Sequence, residues 1–537
     1  MLNKFTVRCL VPFAISAVVL SGCITDEDAM TTDPDDDGLG DANTNEENSE
    51  GEDSSDGGTI NIAQGADMVS FDIHDHSNTG TEAIHVNLFS YLVKNDVENG
   101  EILPDLATDW ELIDDETWEF TLREDATFHN GDSVTAEDVK FTLERVSSDE
   151  TLQEYENYRQ IEEVEVIDDY TFQIHTNGPQ PAMLNRISRL GSGILPKDYI
   201  EENDWDHFLR EPVGSGPYQF VQWAMDDRVV LERFDDYFEA DQAQWDEIVF
   251  RSIPESSTRV GEVLAGGVDI AMNIPPMDWD RVESNEGTSV VEGPTNRTMM
   301  LVPNHREDFA TSDILVREAI DLAIDNQALL DNLMGGSGTP SLTRVNPGNF
   351  GVNEALHDDY RFDPEEARAK LEEAGYADGL ELTLHSPDGR YLQDRETTEV
   401  ISGMLSEVGI DVNIDFMEWS SFVDLRAANQ QEDLYLIGLS GSLWDAAHQL
   451  RHHSSMVAED HIGYRNDEFD DIYLDAEVNM DEASRQQQYE ELQTIADEDL
   501  INIMLFQADN FFAVSDRVNF EPRLDELWMV DEITITE

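Results

Sequence analysis

The residues best placed to do chemistry cluster around position 440. An apolar run, Leu434–Leu439, breaks into Ser440-Gly441-Ser442-Leu443-Trp444-Asp445, after which helical spacing resumes. The segment sets hydroxyls and flexible backbone beside one large aromatic ring and one carboxylate. An unbroken apolar run fits a strand buried on both faces. A loop leaving such a strand is where mixed α/β proteins place ligand sites. The same residues also fit an ordinary strand-to-helix turn, with Gly441 for geometry and Trp444 in the core. A little further on, His448 and His452 stand one helical turn apart, with His453 and His461 close by. Imidazoles at that spacing can form a metal-ligand pair, or they can simply be solvated. Covalent catalysis finds little support. There is no G-x-S-x-G, no HExxH and no phosphate loop. Paired carboxylates, the hallmark of glycoside hydrolysis, recur everywhere in so acidic a chain and single out nothing. The expectation is a binding protein and not an enzyme, with no cofactor and no resident metal.

The elements that must hold these residues belong to an unusual chain. Its 537 residues carry 118 Asp and Glu against 31 Lys and Arg, a formal charge of −87. Lysine occurs only at Lys4, Lys94, Lys140, Lys197 and Lys370. Self-repulsion on this scale opposes a compact state in dilute buffer. In molar salt the Debye length falls to roughly 3 Å and screens most of it. The composition therefore predicts a protein that works in strong brine. It excludes nucleic acid as a partner, because phosphate binding needs a basic surface. The apolar content of 39% suffices for real cores, and the length predicts several domains or one multi-lobed body. The two cysteines are Cys9 and Cys23, so no disulfide is expected in the body.

Residues 1–23 have the layout of a signal segment: Lys4 and Arg8, then the apolar run Val11–Leu20, too short to span a membrane comfortably. The run ends in Leu20-Ser21-Gly22-Cys23, which resembles the lipobox of lipoproteins and makes Cys23 the expected lipidation site. Residues 24–58 are rich in Asp and Glu and lack Lys and Arg, so an extended tether is predicted. Within it, Asp33–Asp41 has the D-x-D-x-D-G spacing of calcium loops and resembles a single thrombospondin-type-3-like repeat. Thr44 occupies the position where an EF-hand has its bidentate Glu. A solvated tether is the preferred reading.

The body opens with a strand at Thr59–Ala63 and an apolar-periodic stretch at Ala83–Leu92. Alternation at Trp118, Phe120 and Leu122 predicts a strand. Thr135 with Asp138 predicts a capping-box start to a helix over Ala136–Arg145. Asp363, Pro364, Glu366 and Gly375 mark the start and stop of another. An acidic helix over Asp481–Asp499 leads to a final strand, Asn502–Phe506.

Several of these stretches match one family. Pro104, Leu106, Ala107, Trp110, Asp114, Asp115, Phe120, Leu122, Arg123, Phe128, His129, Gly131, Thr135, Ala136, Asp138 and Val139 follow the pattern P-x-L-A-x-x-W, D-D, T-F-x-L-R, F-H-x-G, T-A-x-D-V. Pro212–Tyr218, Val230–Phe234, Leu264–Ile270 and Val316–Ile320 follow in family order. The body, about residues 59–537, resembles the extracellular solute-binding proteins of ABC importers, family 5, the peptide/nickel-binding proteins. The resemblance implies a periplasmic-binding-protein-like type II α/β fold: two lobes around a ligand cleft, with an additional inserted domain. On this chain lobe I would be 59–91, 200–300 and 500–537, the insert 92–199 and lobe II 301–499. It implies a monomer that captures a peptide or similar small solute and presents it to ABC permease subunits, exported and lipid-anchored to the outer face of the cell membrane or in the periplasm. A nickel or metallophore binder and an oligosaccharide binder are the alternatives within the family.

The resemblance also suggests contacts. Glu418-Trp419-Ser420-Ser421-Phe422 is similar to the E-W-x-x-F segment of peptide binders, whose tryptophan lines the pocket. Arg426 matches an arginine that some of them direct at the ligand. Ser77 to Thr79 correspond loosely to a loop of lobe I bordering the ligand. The family's G-W-x-x-D, whose acid pairs with a peptide's α-ammonium, becomes Gly438-Leu439-Ser440-Gly441-Ser442 here. The acid is missing. Trp444 and Asp445 are candidates to replace the lost aromatic and acid.

Overall fold

A computed structural model describes residues 57–97, 100–239 and 243–536. The signal segment, Cys23 and the calcium-like loop lie outside the described residues. One mixed sheet runs through the molecule. Its central pair is Thr288–Pro303 and Ile503–Ser515, antiparallel along most of their length. On one side come Ile270–Met272, Thr59–Gln64, Glu247–Ser252, Arg228–Arg233 and Tyr218–Ala224; on the other, Leu434–Ser440, Leu380–Pro387 and Ile410–Met417. Thr59–Gln64 pairs in parallel with both its neighbours, as does Leu380–Pro387. Parallel strands need helical crossovers on the sheet faces, hence the α/β class.

Each half buries its own core. Ile60, Ile62, Phe89, Trp245 and Phe512 belong to one, and Leu301, Leu384, Ile401, Leu436 and Phe506 to the other. A separate four-stranded antiparallel sheet, formed by Ala107–Asp114, Thr117–Leu122, Thr171–Thr176 and Ile161–Asp168, packs Phe120 and Phe172 against Val139 and Leu143 of the helix Ala136–Ser148. That helix starts with the expected capping box. The helix Pro364–Glu373 is capped by Asp363, whose carboxylate accepts from the Glu365 and Glu366 amides. Among the described residues no helix is long and apolar enough to cross a membrane.

The last long strand differs from its expected form. It runs on from Ile503 through the polar stretch Gln507-Ala508-Asp509-Asn510 to Ser515. Hydrophobic pattern alone stops it at Phe506. Pairing with Thr288–Pro303 carries it further, and that pairing shifts register between Pro294 and Thr298. The polar stretch lies opposite this irregularity, where the sheet passes the cleft and needs no apolar face.

Candidate functional site

Two adjoining recesses open beside the central strands, with Thr79 and Glu526 bordering both. The larger is a cleft of about 780 Å³. Its walls come from both halves of the sheet and include Arg259, Arg297, Tyr391, Trp419 and Asn510. Trp419 is the first residue of the helix Trp419–Ala427, where the Glu418 carboxylate accepts from the Ser420 amide. Its ring stacks on Phe422 (5.6 Å between centroids, 23° between planes) and meets Tyr391 edge-on at 6.1 Å. The Arg390 guanidinium stands 5.1 Å from the Trp419 ring centroid and 5.3 Å from that of Tyr391, within cation–π range. Tyr391 is held by its hydroxyl donating to the Gly438 carbonyl at 3.0 Å. Arg297 donates to the same carbonyl at 3.2 Å and pairs with Glu526 at 3.0 Å. The wall is therefore aromatic, cationic and fixed from behind by the strand Leu434–Ser440.

The smaller recess is an inner chamber of about 90 Å³, bordered by Ser440, Gly441, Ser442 and Trp444 from the loop and by Glu82, Arg189 and Asp525. Arg189 is buried. It pairs with Glu154 at 2.7 Å and donates to the Ser442 hydroxyl from Nε (3.2 Å) and Nη2 (2.8 Å). Glu82 is also buried, and burial pushes its carboxyl up to about 7. The loop is held by a chain of amides. Asn296 donates to the Gly441 carbonyl, Asn349 to the Asn296 side-chain oxygen at 2.8 Å, and Gln449 to that of Asn349 at 3.0 Å. Trp444 takes a left-handed conformation (φ 58°) with its ring buried.

The structure thus brings Thr79, Ser440, Gly441, Ser442 and Trp444 to the chamber, and Trp419 with Thr79 to the cleft. It places three other candidates elsewhere. Asp445, considered as a replacement for the missing acid, points away from the recesses. It caps the helix Ala446–Arg451 and forms a buried ion pair with Arg485 at 2.7 Å. Arg426 lies over the ring of Tyr435, 5.2 Å from its centroid, and lines neither recess. Ser77 is exposed and lines neither.

The histidines do not converge. His448 and His452 are 6.1 Å apart between ring centroids; His448 is half-buried and His452 exposed, and desolvation with the nearby arginines lowers His448 to about 3. His453 contacts Asn502 at 2.9 Å, and His461 contacts the Tyr435 hydroxyl at 2.9 Å. Among the described residues no group of three or more His, Cys, Asp or Glu could hold a metal ion.

Glu82, Arg189, Arg390 and Tyr391 escaped the sequence reading. Glu82 carries a faint signal: it is the one acid within Thr79–Phe89. An acid in the first turn of a helix otherwise counts as a complement to the helix dipole.

Known proteins give the same outline. The model of "Bacterial extracellular solute-binding proteins, family 5 Middle" matches residues 101–458. The Dipeptide-binding protein of Escherichia coli (strain K12) is 26% identical over 400 residues, 69% of this chain and 73% of that protein. Among solved structures, the periplasmic binding protein DppA from Helicobacter pylori, in complex with the peptide STSA, superposes with a TM-score of 0.77 at 24% identity, over 90% of this chain and 99% of its own. NikA from Staphylococcus aureus, in complex with Ni(L-His)2, gives a TM-score of 0.74 at 20% identity, over 89% and 100%. At these identities the two structures share a fold with this chain.

Proposed function

The chain belongs to the bacterial extracellular solute-binding proteins of family 5, and from that premise we propose that it captures a peptide or similar small solute and delivers it to the permease of an ABC importer. The observation that carries this reading is the cleft itself. Its aromatic and guanidinium wall of Trp419, Tyr391 and Arg390 shares the cleft with Asp509 and Asn510 of the central strand, a surface suited to an extended chain with charged ends. No bond is made or broken. Residues 59–91, 200–300 and 500–537 act as lobe I, 301–499 as lobe II and 92–199 as the insert; the separate cores on the two halves of the sheet and behind the small sheet support this division. The paired central strands act as the hinge, and bound solute shifts the population toward the closed form that the permease accepts. Cys23 carries lipid, the acidic tether spaces the body from the membrane, and the protein acts as a monomer in brine.

Calorimetry in molar salt tests the reading with Ala-Phe, Ala-Phe-Ala and Ala-Ala-Phe-Ala. Binding is expected, and Trp419→Ala should weaken it by at least about tenfold, or roughly 1.4 kcal/mol. Unchanged affinity in that variant removes Trp419 from the contacts. Binding of a nickel–histidine complex with no response to any peptide overturns the peptide reading.

A further inference from the structure

The inner chamber is acidic by construction. Its lining includes the carboxylates of Glu82, Asp105, Asp525, Glu526 and Asp531 and the cations of Lys94, Arg189 and Arg523. Most of these are already engaged. Asp105 pairs with Lys94 at 3.5 Å, Asp525 with Arg523 at 2.7 Å, and Glu526 with Arg297 of the cleft at 3.0 Å. Arg189 is taken by Glu154, and Arg523 also meets Glu532 at 2.8 Å. Glu82 stands apart. Only 6% exposed, it forms no ion pair among the described residues, although it lines the chamber. The cation that acts on it, Arg189, is held by Glu154. A buried carboxylate with no ion pair of its own is costly, and such groups concentrate where a ligand completes them. From the loop, the chamber receives the hydroxyl of Ser442, which Arg189 occupies. The loop therefore offers the ligand no free acid, and the helix Thr79–Leu88 does.

We propose that Glu82 is the specificity residue of the inner chamber and binds the ammonium head of the solute, so that the protein selects ligands with a free cationic amine at one end. This deepens the solute-binding reading and rests on it. The volume of about 90 Å³ admits a small head group and leaves the rest of the ligand in the cleft. There the Arg390 guanidinium, stacked near Trp419 and Tyr391, is placed for groups of opposite charge. Polarity would then run from acid within to cation without.

The test compares each of the three peptides with its N-acetylated form, by calorimetry in molar salt, on the full chain and on Glu82→Gln. The free amine should bind at least about tenfold more tightly than the acetylated form, since an unpaired buried charge is what acetylation leaves behind. In Glu82→Gln that preference should vanish while acetylated peptide binds as before. Equal binding of both forms by the unaltered protein overturns the ammonium subsite and leaves the peptide reading standing. Equal weakening of both forms in Glu82→Gln makes the residue structural and overturns the assignment. Failure of all six compounds to bind the unaltered protein removes the peptide reading and this inference with it. Thermal unfolding of the variant in the same buffer shows that it is folded.

Discussion

Glu82 and Asp445 are both buried acids, and what surrounds them separates their roles. Asp445 has the Arg485 guanidinium at 2.7 Å and the Ala447 amide at 3.0 Å. It is compensated, and removing one partner of such a pair costs about 3–5 kcal/mol. Glu82 forms no ion pair among the described residues. Its carboxyl sits at about 7, first through burial, with Glu154 and Asp525 raising it further and Arg189 and the Leu190 amide lowering it. Tyr91 and Tyr158 also face it. The folded state thus holds a proton that the unfolded chain releases near 4.5, so stability falls as pH rises from about 4.5 to about 7. Glu82→Gln should therefore stabilise the free protein by about 3 kcal/mol at pH 8 and by about 1 kcal/mol at pH 5.5. Denaturant titrations at the two pH values in molar salt check this. A gain that does not depend on pH would show that Glu82 is ionised throughout.

At the scale of elements, the loop after the strand Leu434–Ser440 is shaped by close approach. A Cβ on Gly441 would lie 1.8 Å from Nε2 of Gln449, the end of the amide chain that reaches Asn296 through Asn349. Gly441→Ala must displace Gln449 and should cost about 1–3 kcal/mol in stability, as overpacking does. It should also weaken ligand binding, because the chamber wall moves. With Gln449→Ala, the double variant should lose less than the sum of the single variants, measured by denaturant titration. Strict additivity would mean that the clash is relieved elsewhere. The capped helices and the strand Leu434–Ser440 were legible because cap residues and apolar runs act locally. The continuation of the final strand past Phe506 was not, since its polar half is held by pairing with a segment some 200 residues away.

The whole molecule carries its charge on the outside of several packed cores. At −87, repulsion among surface carboxylates opposes any closing of the lobes as well as folding itself. Unfolding followed by circular dichroism should be cooperative in molar salt and lost in dilute buffer, with the midpoint rising steadily with ionic strength. Full stability at low ionic strength would refute the brine reading. Because closure brings acidic lobes together, ligand affinity should rise with salt over the same range, as calorimetry at stepped ionic strengths checks.

The sequence alone was enough to determine the family and the α/β class. Those properties rest on short-range pattern: caps, turns, apolar periodicity and motifs whose residues lie within a few positions of one another. It also showed that the acid expected at Ser442 is absent. What replaces that acid was decided only in three dimensions. Asp445, three positions along, turns inward to Arg485, which lies 40 residues away in the chain. Glu82, about 360 residues earlier in the chain, lines the same chamber as Ser442. Whether a carboxylate is paired or left open depends on burial and on which cations come near it. In a chain with 118 acids, spacing along the sequence carries no record of that.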